Sequence, residues 1–199
     1  FACLEAGVDL RLGPVVWGEF KNGPNSRHIG APKLGLASAT GNEMLEYDHL
    51  VLATGTRDFV PSFTGWDLPG VFGVKGGLAL LDSYQCYEGK RTLVLGTSPI
   101  AVRFAERALA RGVRIVGMVE PSDRVQAGPA AAAHLAALGV AVQLGAVIEA
   151  ALGKSGVVGA RIVSLAGGAV EVACDTICMA IGTLPNIELA AAMKFRLPE

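Results

Sequence analysis

The stretch Gly96-Thr-Ser-Pro-Ile-Ala101 has the residue types of a turn that holds an anion. One small residue allows a tight bend out of a strand. A second lets the backbone approach a phosphate, and a third lets the next helix pack close to the sheet. Gly96 meets the first need and Ala101 the third, while Ser98 stands at the second position. A positive φ there would cost a serine about 1–2 kcal/mol, and its Cβ would crowd a phosphate. Ser98 is also a good helix N-cap, with Pro99 at the first helical position. Glu120 lies 24 residues beyond Gly96. At that spacing a carboxylate can accept bonds from a ribose 2′-hydroxyl and repel a 2′-phosphate, which favours NAD. Its plainer role is a loop carboxylate near Arg124, and Arg124 itself is placed to pair a 2′-phosphate, which keeps NADP open. Gly96, Thr97, Ser98, Pro99, Ile100 and Glu120 are therefore the expected cofactor-binding residues of this segment.

These residues need a strand before them, a helix behind and a second strand carrying the acid. Thr92–Leu95 is a short apolar run that stops at Gly96. Ile100, Phe104 and Ala108 then recur every four residues, with Arg103, Arg107 and Arg111 on another face as a solvated stripe. Val113–Val119 is a second apolar run ending at Glu120. The pattern predicts a βαβ core and an α/β, Rossmann-like dinucleotide-binding domain with a parallel sheet. An alanine-rich helix is expected over Pro129–Leu138 and a strand over Val140–Leu144. An antiparallel meander is expected across Val147–Ala173, and a last strand over Thr176–Ile181. Upstream, Phe1–Leu12 reads as the end of a helix, Val15–Phe20 as a strand and Asn22–Pro32 as a loop. Lys33–Ser38 and Met44–Tyr47 read as a hairpin around Gly41-Asn42, and Leu50–Thr54 as a buried strand. Pro61–Val71 is turn-rich and reads as a linker, and Val74–Tyr84 as helical.

The 199 residues carry a formal charge of −1, with 18% charged and 51% hydrophobic residues. That balance gives no electrostatic footprint for nucleic acid or an anionic membrane. No apolar run reaches the roughly 18–20 residues of a membrane helix. The chain begins at Phe1 with no signal-peptide pattern, as expected of a piece of a longer protein. Cys3, Cys86, Cys174 and Cys178 have neither redox-pair nor zinc spacing and read as thiols of a reducing cytoplasm. No metal set and no catalytic acid, base or nucleophile stands out, and His28, His49 and His134 read as structural or surface residues. A chain that positions a cofactor for hydride chemistry needs none of these. The expected partners are a small-molecule substrate and a second copy or partner subunit.

Three motifs, in order, resemble the pyridine nucleotide-disulfide oxidoreductase superfamily. They are Tyr47-Asp-His-Leu-Val-Leu-Ala-Thr-Gly-Thr-Arg57 with Leu68-Pro-Gly-Val71, the turn at Gly96, and Ala180-Ile-Gly-Thr-Leu-Pro-Asn186. The resemblance implies an FAD- and NAD-dependent oxidoreductase. Residues 1–66 would belong to an incomplete FAD-type domain, 67–179 to an inserted NAD(P)-type domain and 180–199 to the return into the FAD-type domain. It implies that Thr54, Gly55, Arg57 and Gly182 border the flavin. The phrase Phe63-Thr-Gly-Trp-Asp-Leu-Pro-Gly-Val71 is similar to the FAD-binding subunits of opine oxidase and hydrogen cyanide synthase. The glycine turn of an FAD domain and a redox cysteine pair are not in this stretch, so the chain alone is expected to hold no FAD and to turn nothing over. The alternative is a degenerate nucleotide fold that serves as an interdomain or subunit scaffold.

Overall fold

The computed structural model describes residues 2–24 and 27–194. Phe1, Asn25, Ser26 and 195–199, which fall in the expected helix end, loop and return segment, lie outside the described residues. The chain divides into two compact units, one from segments 1–55 and 186–199, the other Thr56–Pro185.

In the first unit a single helical turn, α1 (Ala2–Glu5), precedes an antiparallel sheet of β1 (Val15–Phe20), β2 (Lys33–Ser38) and β3 (Gly41–Glu46). The hairpin turn falls on Ala39-Thr40, because Ser38 pairs with Gly41. The Ser38 hydroxyl accepts from the Thr40 amide at 3.3 Å and fixes that turn locally, displacing it from the expected Gly41-Asn42. Leu50–Thr54 is not a strand, and Val51 is 88% exposed. A strand needs a neighbouring strand to share its backbone bonds, and among the described residues no strand pairs with this segment.

The second unit opens with β4 (Thr56–Asp58), β5 (Val71–Gly73) and α2 (Val74–Leu78), which runs on into a π-helical turn over Ala79–Ser83. The predicted core follows as β6 (Arg91–Leu95), α3 (Pro99–Leu109) and β7 (Arg114–Glu120). Then come α4 (Pro129–Ala137), β8 (Val142–Leu144), the three strands β9 (Ala146–Leu152), β10 (Gly159–Ser164) and β11 (Ala169–Val172), and finally β12 (Thr176–Met179) and β13 (Thr183–Pro185). A short α5 (Glu188–Ala192) belongs to the first unit.

Five parallel strands order as β5-β12-β6-β7-β8, and β9, β10 and β11 form a separate antiparallel sheet. Successive residues of the central strands feed opposite cores, as the two-residue period requires. Val94 and Cys178 join Phe104, Ala105, Ala108 and Leu135 on the helical side. Leu93, Leu95 and Ile177 join Ile148, Ala160 and Ile162 on the meander side. The unit is thus three-layered, with helices, parallel sheet and meander. Covering both faces explains why Thr92–Leu95 reads as a continuous apolar run.

Phe63–Gly70 is not a linker. Thr64 donates to Glu149 O at 3.2 Å and accepts from the Ala151 amide at 2.8 Å, which fastens the segment to β9. Within the second unit β4 and β13 pair antiparallel, so that unit is closed where its chain enters and leaves.

Candidate nucleotide site

The carboxyl ends of β6, β7 and β12 converge on the Gly96 turn. Gly96 has φ +104°, and a Cβ there would lie 2.6 Å from the Ile181 backbone N and Cα. Its amide donates to Val119 O at 2.7 Å, and the Ala180 amide donates to Leu95 O at 2.7 Å, so the turn is stitched to both flanking strands. Only glycine satisfies that approach and that φ together.

Ser98 has φ −63° and ψ 163°, an ordinary N-cap conformation. The positive φ considered from sequence is not required, and no strain arises. Its hydroxyl donates to Ala180 O at 2.6 Å and accepts from the Ala101 amide at 3.4 Å. The side chain is buried, its hydroxyl turned to the Ala180 carbonyl just beyond β12.

Glu120 is fully buried. Its Oε2 accepts from the Thr97 amide at 2.9 Å and the Thr97 hydroxyl at 2.6 Å. Its Oε1 accepts from the Ser122 amide at 3.0 Å, the Ser122 hydroxyl at 2.8 Å and Gln126 Nε2 at 3.1 Å. Burial works against ionisation, but the bonds from Thr97, Ser122 and Gln126 outweigh it and hold the carboxyl below its ordinary pKa. The Thr97 hydroxyl also accepts from the Gln126 amide at 2.9 Å, and the Ala127 amide donates to Thr97 O at 3.0 Å.

Beside the N-terminus of α3 opens a cavity of about 420 Å³, lined by Ser98, Pro99, Ile100 and Gly182 together with Lys75 and Gln126. Lys75 is the one charged side chain in that lining. It sits in the first turn of α2, where its amide donates to Asp58 Oδ2 at 3.0 Å and its ammonium to the Thr56 carbonyl and hydroxyl. Gly73 leaves room for this arrangement, since a Cβ there would meet the Asp58 carboxylate at 2.2 Å. Sequence reasoning missed Lys75 and Gln126, because only the folding of β4 and the loop after β7 brings them to the turn. A helix N-terminus with a lysine near it favours an anion.

Thr54 and Gly55 belong to the first unit. The Thr54 hydroxyl donates to Asn186 O at 2.6 Å, and the Asn186 amide donates to Gly55 O at 3.0 Å. Thr54 lines a separate groove of about 800 Å³ there, walled by Val16, Trp17, Leu34 and Leu189. Among the described residues no group of three or more His, Cys, Asp and Glu side chains forms a metal site, and no helix is long and apolar enough to cross a membrane.

An NADH oxidase of Methanocaldococcus jannaschii is 32% identical over 169 residues, 79% of this chain and 36% of that protein. The hydrogen cyanide synthase subunit HcnB of Pseudomonas aeruginosa is 35% identical over 124 residues, 60% of this chain and 24% of that subunit. The chain therefore spans about a quarter to a third of these relatives. A ferredoxin reductase from Rhodopseudomonas palustris shares the fold with a TM-score of 0.72 at 24% identity, over 99% of this chain and 47% of that one. The family model for pyridine nucleotide-disulphide oxidoreductases matches residues 20–199. With the glycine turn, the parallel sheet and the meander all in place, the chain belongs to the pyridine nucleotide-disulphide oxidoreductase family, a family of FAD- and NAD(P)H-dependent enzymes.

Proposed function

We propose that residues 67–179, the body of the Thr56–Pro185 unit, are the nicotinamide-dinucleotide domain of an FAD-dependent oxidoreductase, and that 1–66 and 180–199 are margins of its FAD-type domain. The observation that carries this reading is the α3 N-terminus opening onto a cavity whose only charged lining residue is Lys75. Ser98, Pro99 and Ile100 would hold the pyrophosphate end of NAD(H), with Gly96 and Thr97 shaping the turn beneath and Gly182, expected at the flavin border, lining the same cavity. Bound there, the dinucleotide supplies hydride exchange with a flavin. Thr54 and Gly55 would border the flavin in the groove of the first unit. The four cysteines, none in a disulfide, suit a reducing cytoplasm. The test is titration of the purified chain with NADH, followed by nicotinamide fluorescence. Saturable binding supports the reading, and its absence overturns it.

A second reading has one observation in its favour. Glu120 and the Thr97 amide are committed to each other, so two groups expected to serve a nucleotide serve the fold. On that reading the unit is a scaffold within a flavin-dependent amine or amino-acid dehydrogenase, in line with the resemblance to a hydrogen cyanide synthase subunit. Failure of both NADH and NADPH to bind would favour it.

A further inference from the structure

We propose that Glu120 acts as a positioning residue, a brace that clamps the Gly96–Pro99 turn to the loop after β7, and that it does not contact the ribose of a bound dinucleotide. The inference rests on reading the cavity at α3 as a nucleotide site. An ionised carboxylate offers about four lone-pair positions. Glu120 meets five donors: two from Thr97, two from Ser122 and one from Gln126. The Ser122 hydroxyl is shared, since Arg124 O also lies 2.7 Å from it. Nothing is left over for a ribose diol, and the residue is fully covered. A ribose hydroxyl could reach it only by breaking bonds that offset the cost of burying the charge.

What these bonds connect is more telling than their number. Thr97 is the residue between Gly96 and Ser98, inside the turn itself. Its amide and hydroxyl point down to Glu120, its hydroxyl also accepts from the Gln126 amide, and its carbonyl accepts from Ala127. Ser122 and Gln126 stand at the two ends of the loop that follows β7, and Gln126 is also in the cavity wall. One buried carboxylate thus sets the position of the turn beneath a phosphate and of the loop beside it. Its loss would loosen both walls together. It would weaken NADH and NADPH alike, because neither wall reads the 2′ position through this side chain.

The experiment compares the wild-type chain with Glu120→Gln, Thr97→Val and Thr97→Ser, each titrated with NADH and with NADPH. Backbone amide exchange is followed on the same proteins without nucleotide. Glu120→Gln and Thr97→Val should each weaken both nucleotides about tenfold, the size of one lost charge-assisted bond, with their ratio unchanged. Thr97→Ser, which keeps the hydroxyl, should restore affinity. Faster exchange at Ser122 and Gln126 should accompany the two weakened variants. A shift of the NADH to NADPH ratio in Glu120→Gln, with Thr97→Val leaving it unchanged, would make Glu120 a ribose ligand and overturn the proposal. Unchanged exchange at Ser122 and Gln126 would overturn it too. Should the wild-type chain bind neither nucleotide, the reading of the cavity falls, and the exchange data decide the brace by themselves.

Discussion

Gly96 is the residue least open to change. Alanine there meets an unfavourable φ of +104° and a backbone contact of 2.6 Å at once. Gly96→Ala should cost about 3 kcal/mol or more, seen as a lower denaturant midpoint. Ser98 behaves differently, because its side chain is a cap and a strap. Ser98→Gly should lower stability by about 1 kcal/mol through loss of the bond to Ala180 O and should not tighten NADH binding. Acid should act through carboxylates. For both Glu120 and Asp175 burial opposes ionisation, but bonds from Thr97 and Ser122 in one case, and from the Arg91 amide and Thr176 in the other, lower the pKa. A carboxyl whose pKa is depressed on folding binds fewer protons folded than unfolded, so stability rises with pH across that window. The contribution is full above the ordinary carboxylate values of 4.5 and 3.8 and is lost as pH falls through the folded ones. Glu120→Gln should therefore flatten the acid limb of a plot of stability against pH, measured by denaturant titration.

Among the elements, α3 bears the most packing. Phe104 is fully buried and lies edge-on to Phe72 and Tyr87, with centroids 6.4 and 6.0 Å away. Phe104→Ala should cost about 3–5 kcal/mol by chemical denaturation. This helix was legible in the sequence because Ile100, Phe104 and Ala108 keep a four-residue repeat between two apolar runs. The parallel pair β6 and β7 was legible for the same reason, and the Gly96 turn because its constraint is steric and local. Leu50–Thr54 was misread because a strand is a property of a pair, and apolar composition cannot say whether a partner is present. Glu120 was placed correctly at the end of β7, but its lone pairs were not readable. Thr97, Ser122 and Gln126 claim them only after the turn and the loop have folded. Lys75 gave no signal, since its neighbours Val74 and Gly76 suggest only a weak helix start.

For the molecule as a whole, the glycine turn at Gly96 belongs to the three-layered unit, and Thr54 and Gly55, proposed to border the flavin, belong to the other. The purified chain should accordingly be colourless, and a flavin absorbance band that survives dialysis would refute that. The strand order has a consequence for how the chain comes to be folded at all. β12 is among the last strands of its unit in sequence, yet it lies between β5 and β6, and the Asp175 carboxylate just before it accepts from the Lys90 and Arg91 amides at 3.0 Å. During synthesis, everything from Gly96 to Asp175 emerges before the strand that fills the gap. Until then β5 and β6 each present an open edge, a template for pairing with another nascent chain. A chain ended after Ala173 should keep those edges permanently and sediment as aggregate to a greater extent than residues 1–199. The ribosome thus releases a sheet with one interior strand delivered late, and the cell's chaperones have that interval to cover.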